Sequence, residues 1–393
     1  MQESIGVEAA LSRASVAPHE ETARPALRAE IIEFLFVGGS TLLLFPIAWL
    51  ARRAFGLDSA EYAAGFLTFY AAYVVNDPHF SVTYLLFYRD ARRRAFDGAL
   101  PRSFRVRYWI AGAVVPAALV AWAGLAIAHH SAQTLGWMVQ LMYLTVGWHY
   151  AKQGFGVMAV LAARRGVKVT SIERKAILGH CFAGWAYAWA SPAIPAGEFE
   201  EKGVVYYALA HPRWLEVATG WAFALSTVVL AGALVGTWRR ERRTLPVLPF
   251  ATLLLTVWSW TVYTTIDPLF RYVIPALHSV QYLYFVWLLR RNEARAEEGP
   301  PTFGRPVAVR VAGLALGALA LGWFLFRGAP TFLDTAFGHH PRRGELPDAL
   351  GETPFFAAFF VVVNVHHYFM DNVIWRRDSP EARYLRTTGP DTP

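Results

Sequence analysis

Residues 355–377 read FFAAFFVVVNVHHYFMDNVIWRR. The first nine are all apolar and two arginines close the stretch. It therefore reads as a membrane-crossing helix whose basic end faces the cytoplasm. Inside it sit Asn364, His366, His367 and Asp371. Ionisable groups at membrane depth are costly, so they face a bundle interior and mark a site. On a helix Asn364, His367 and Asp371 share one stripe at i, i+3 and i+7. His366 points about 100° away, which places the adjacent histidines to bridge two neighbouring positions.

The rest of the chain repeats the pattern. Apolar runs fall at 31–50, 60–88, 106–129, 133–163, 172–191, 214–238, 247–265, 268–290, 306–326 and 354–375. The second and fourth exceed one span, which suggests tilt, extension beyond the bilayer or a kink at Pro78. The 393 residues are 55% hydrophobic and 17% charged, too apolar for one soluble core. The expected fold is all-α: a polytopic transmembrane helix bundle of about ten spans over residues 30–376. Cytoplasmic tails cover 1–29 and 377–393. Residues 1–28 are polar and lack the apolar centre of a signal peptide.

Arginine placement orients the bundle. Arg89, Arg92, Arg93 and Arg94 follow run two, Arg164 and Arg165 run four, and Arg239 and Arg240 run six. Arg290 and Arg291 follow run eight, and Arg376 and Arg377 run ten. Each even-numbered run thus ends at a basic, cytoplasmic end, with both termini inside. Arg52 and Arg53, and Arg327, Arg342 and Arg343, fit this alternation less well. An abundance of Ala and of Arg over Lys points to a bacterial inner membrane. The net charge of +8 belongs to these clusters, which read as topology and lipid-headgroup contacts. No nucleic-acid partner is expected.

Six of the 12 histidines lie inside apolar runs: His79, His149, His180, His278, His366 and His367. Counted back from the basic ends, His79 lies 10 residues before Arg89, His366 10 before Arg376, His278 12 before Arg290 and His149 15 before Arg164. All four helices run outside to inside, so these imidazoles share a layer within about one or two helical turns. His180 enters from the cytoplasmic side and reaches the lower edge of that layer. Each has polar company: Asn76 and Asp77 before His79, Gln153 after His149, and Gln281 and Tyr282 after His278. The expected metal ligands are His79, His149, His278, His366 and His367, with Asp77 and Asp371 as catalytic carboxylates. Asn76, Gln153, Gln281, Asn364 and His180 are the expected supporting groups.

Imidazole suits iron, copper and zinc, and carboxylates add oxygen ligands. The single cysteine, Cys181, excludes an internal disulfide and a cysteine-based cluster. Non-haem iron, one or two ions, is the expected cofactor; haem, zinc and copper are the alternatives. Such iron implies an oxidoreductase that desaturates, hydroxylates or oxidatively cleaves a lipid, fatty acyl or isoprenoid substrate. A ferredoxin-like donor on the cytoplasmic side is the expected electron source, and Arg92 to Arg94 offer it a basic surface. A haem-binding electron carrier, a proton-coupled transporter with breaks at Pro78 and Pro268, and a zinc-dependent lipid hydrolase or transferase are the competing readings. No Gly-x-Ser-x-Gly elbow or phosphate-binding loop supports the last.

The segment Asn364-Val365-His366-His367 resembles the last histidine box of integral-membrane fatty acid desaturases and hydroxylases. Val363 stands where that box carries a further ligand, and the two earlier boxes are absent. Single histidines on separate helices look more like the arrangement in bacterial membrane carotenoid-cleaving dioxygenases. Either resemblance implies a polytopic, histidine-ligated iron enzyme.

Overall fold

Run 60–88 does not form one helix. It breaks at Tyr73–Val75, and Val75 has φ −123° and ψ −58°. Pro78 then occupies the first turn of the next helix, where its missing N–H costs nothing. Pro78 thus starts a helix rather than kinking one, and the break puts Asn76, Asp77 and His79 at a buried helix start.

The computed structural model describes residues 28–191, 196–201, 204–243, 245–337, 350–376, 379–380 and 382–386. Residues 1–27 of the expected leading tail, His339, His340, Arg342, Arg343 and most of the expected trailing tail lie outside this set. The described chain is almost wholly helical: α1 (Arg28–Gly39), α2 (Thr41–Phe55), α3 (Leu57–Ala72), α4 (Asn76–Tyr88), α5 (Ala91–Phe96), α6 (Arg102–Ala128) and α7 (Ala132–Arg164). After α8 (Ser171–Ala190) a short hairpin pairs β1 (Gly197–Glu201) with β2 (Val204–Ala208), Phe199 opposite Tyr206. Then follow α9 (Arg213–Glu241), α10 (Val247–Thr265), α11 (Pro268–Glu298), α12 (Val307–Ala336), α13 (Pro354–Ile374) and α14 (Ala382–Arg386).

Among the described residues, five helices are long and apolar enough to cross a membrane: α6, α9, α10, α11 and α12. The bent pair α1 and α2, meeting at 64°, adds a sixth. Five or six spans replace the ten expected from the apolar runs. Run 60–88 falls short because α3 and α4 have 16 and 13 residues. The runs behind α7, α8 and α13 form helices of 33, 20 and 21 residues, but polar side chains dilute their apolar character. Lipid-facing apolar surface is plain elsewhere. Trp221, Leu225 and Val228 of α9 and Leu316 of α12 are exposed, and such a surface calls for an apolar solvent. These are the features of an integral membrane protein.

Close crossings hold the bundle around α4, α7, α11 and α13. Gly322 of α12 lies against the α4 backbone: a Cβ there would meet the Asp77 carbonyl carbon at 2.8 Å. Ser81 reinforces this crossing by donating to the Ala318 carbonyl at 2.5 Å. The Gly322→Val variant is expected to be destabilised by about 1–3 kcal/mol, because backbone cannot yield to the added methyls. Gly124→Val on α6, where a Cβ meets nothing within 4 Å, is the control that leaves the detergent melting temperature in place.

Ion pairs gather at the helix ends. Glu33 accepts from Arg164, from Arg165 at 2.7 Å and from Tyr284 at 2.9 Å, tying α1 to α7 and α11. Glu293 takes Arg89 and Arg290 at 2.8 and 2.7 Å. Arg52, an outlier in the charge alternation, is bound to buried Asp267. Asp267 also caps α11, accepting from Leu269 N–H at 2.9 Å. Partnered in this way, Arg52 carries little unbalanced charge to set orientation. The Asp267–Pro268 step is a helix start and not a broken span.

Candidate metal centre

Four helices deliver one imidazole each to a common point. His79 comes from the first turn of α4, His149 from the middle of α7, His278 from α11 one turn after Pro275, and His367 from α13. All four side chains are buried, and one ring nitrogen from each lies within 4.8 Å of every other. The rings form a closed circuit. Centroids are 5.0 Å apart for His79–His278, 4.9 Å for His278–His149, 5.0 Å for His149–His367 and 4.5 Å for His367–His79.

His149 Nε2 and His278 Nε2 face each other at 3.1 Å. Two nitrogens bound to one ion at about 2.1 Å lie about 3.0–3.4 Å apart for angles between octahedral and tetrahedral. This pair already has that separation. Several buried side-chain atoms of the group make no hydrogen bond: His79 Nε2, both ring nitrogens of His367, His278 Nδ1 and Asp371 Oδ2. A buried polar atom left unpaired costs about 1–3 kcal/mol. A bound ion would take up His79 Nε2 and one nitrogen of His367. The residues fit a metal.

Supporting bonds fix the rings. Ser279 Oγ lies 3.2 Å from His79 Nδ1 and 2.8 Å from both Asn76 Oδ1 and the Pro275 carbonyl. The hydroxyl proton goes to one of those oxygens, so its lone pair accepts His79 Nδ1–H and leaves Nε2 free to ligate. Asp371 lies beside the group, its Oδ2 3.1 Å from His367 Nε2 and 3.8 Å from His149 Nε2. Its other oxygen accepts from Tyr282 O–H at 2.7 Å and Trp375 N–H at 3.2 Å. The Tyr282 hydroxyl in turn meets Thr83 Oγ1 at 2.6 Å. Phe80, Tyr150 and Tyr368 close the shell, with centroids 4.9, 4.4 and 4.6 Å from His367, His278 and His149.

His366 is turned elsewhere. Its Nε2 lies 2.9 Å from the Ala111 carbonyl and its Nδ1 3.0 Å from Tyr84 O–H. Ala111 belongs to the π-helical turn Ile110–Val114 of α6, where the ordinary helical acceptor pattern is interrupted. A carbonyl only accepts, so Nε2 carries the proton and Nδ1 takes the phenol's. Both nitrogens of His366 are engaged, and neither is available to an ion.

The remaining expected residues fall around this frame. Asp77 is buried two residues before His79, at the α12 crossing and outside the four-histidine group. Gln153 donates to Gln281 at 2.8 Å and Gln281 to the Val37 carbonyl, so the pair braces α7, α11 and α1 rather than the rings. Asn364 donates to Phe360 and accepts from Tyr368. His180 contacts Ser226 at 3.1 Å and stacks on Phe223, packing α8 against α9. Ser279, Thr83 and Trp375 were not singled out in the sequence as supporting groups. Ser279 directly follows His278 in the sequence, and that adjacency is the signal that could have found it.

The chain matches no protein-family model, and no curated protein and no solved structure is significantly similar to it.

Proposed function

We propose that the chain is a membrane-embedded, non-haem iron oxidoreductase acting on a lipid, fatty acyl or isoprenoid substrate. One observation carries this reading: four buried imidazoles from four helices converge within 4.8 Å. His79, His149, His278 and His367 would hold the ion, with Asp371 at its edge. Four neutral nitrogen donors with no thiolate suit iron, and four protein ligands leave positions open on an octahedral ion. Iron held in this way supplies the electron chemistry that activates dioxygen.

The chain's own groups do the rest. Asp371 and the Tyr282 hydroxyl, 2.7 Å apart, hold a proton beside the ligands where it can be moved without bulk water. The aromatic shell excludes solvent. Substrate arrives from within the bilayer, and an acidic ferredoxin-like donor suits the arginine-rich helix ends. Both termini lie on that side of a bacterial inner membrane in this reading. The haem alternative loses support from the ring circuit. Haem would need two of the four imidazoles and would leave the other two without a role.

Elemental analysis with an optical spectrum of the detergent-purified protein tests the proposal. Iron near one or two equivalents without a Soret band is expected. Protein with no iron, copper or zinc, or with a strong Soret band, sinks it. Zinc alone would move the reading to a hydrolase or transferase.

A further inference from the structure

Arg327 is a cation of the apolar bundle that has no anionic partner among the described residues. It sits on α12 in the π-helical turn Phe324–Gly328, a type of distortion that collects at functional positions. Its guanidinium carbon lies 4.6 Å from the Tyr73 ring centroid, 5.1 Å from that of Phe69 and 5.5 Å from that of Phe356. Three helices, α3, α12 and α13, thus build an aromatic cage around one cation. Arg327 makes no hydrogen bond or ion pair among the described residues, and its buried Nε has no partner. Asp334, two helical turns further along α12, is already used. Its two carboxylate oxygens accept Phe355 and Phe356 N–H at 2.9 and 3.0 Å and cap α13.

Aromatic faces stabilise a guanidinium but accept none of its N–H groups in the plane of the fork. Those donors match the paired oxygens of a carboxylate or phosphate. An unpaired cation on a membrane helix is by default a ligand site, and the cage is accessible, with Arg327 half-buried and Phe69 44% exposed. The neighbouring Phe326 turns inward to Phe80 at 5.4 Å, and Phe80 packs on His367 at 4.9 Å. Gly322 faces Asp77 across the α12–α4 crossing. Counting residues from there along each helix sets Arg327 about 10 Å along the membrane normal from His79.

We infer that Arg327 binds the anionic head of an amphiphile, a carboxylate or a phosphate, and holds it at a fixed distance from the four histidines. This deepens the proposed function by naming the substrate class as a charged-head lipid. Arg327 is a positioning residue, remote from the reacting atoms.

The test is equilibrium binding to the full chain in neutral detergent. The probes are a pyrene-labelled fatty carboxylate, its methyl ester and a pyrene-labelled phosphatidic acid. The wild type is expected to bind one of the two anions at least about tenfold more tightly than the ester, and which anion is preferred identifies the head. Arg327→Gln brings that ratio near one, with ester binding and bound metal unchanged. Arg327→Lys keeps the charge without the fork and loses several-fold, which preserves the test if the Gln variant does not fold. A wild type that does not prefer either anion, or a ratio that survives both substitutions, overturns the inference. Charge-selective, Arg327-dependent binding by a protein without metal would leave this site standing and remove the iron proposal. Bound iron with no Arg327 effect would do the reverse.

Discussion

Detergent-purified His149→Ala/His278→Ala protein is expected to hold about a tenth or less of the metal bound by the wild type, because removing first ligands costs more than the 10–100-fold typical of their outer partners. The ring nitrogens of these two side chains face each other at 3.1 Å, and they come from α7 and α11. Losing both leaves only the α4 and α13 donors, too few to retain an ion. The His366→Ala variant is the internal control. Its ring nitrogens are committed to Ala111 and Tyr84, so it keeps wild-type metal and loses helix packing instead. Elemental analysis of the proteins, matched by helical content, decides the matter. Metal retained by the double variant, or lost from His366→Ala alone, would place the ion somewhere else.

Asp371→Asn is expected to weaken metal retention by about 10–100-fold while leaving the fold intact. The amide oxygen still accepts from Tyr282 and Trp375 in place of Oδ1, so the network joining α11 and α13 persists. What changes is the atom 3.1 Å from His367 Nε2, which turns from a carboxyl oxygen into an N–H donor and faces the ligands with the wrong polarity. Competition with a chelator of known affinity reads the loss. An unchanged affinity would make Asp371 a packing residue.

The histidine layer was legible because a helix converts residue counts into depth. Counting back from Arg89, Arg164, Arg290 and Arg376 set His79, His149, His278 and His366 near one level, and the structure brings the first three together with His367, the neighbour of His366. Direction was harder to read. For His366 the deciding fact was the Ala111 carbonyl released by a π-helical turn 255 positions earlier in sequence. No periodicity in α13 reports that. The span count failed for a related reason: hydropathy treats every apolar run as lipid-facing. Helices α7, α8 and α13 instead bury their polar residues against other helices, and run 60–88 breaks ahead of Pro78. Ser279 and Thr83 escaped notice because a hydroxyl in an apolar helix usually bonds its own preceding turn, as both also do here.

The four imidazoles stand at positions 79, 149, 278 and 367, so no shorter stretch than residues 79–367 contains them all. During synthesis the group therefore stays incomplete until α13 has been made and has packed against α4, α7 and α11. An ion bound by all four would have to enter after α13 is in place, and a chain cut short before His367 would lack one of the four donors.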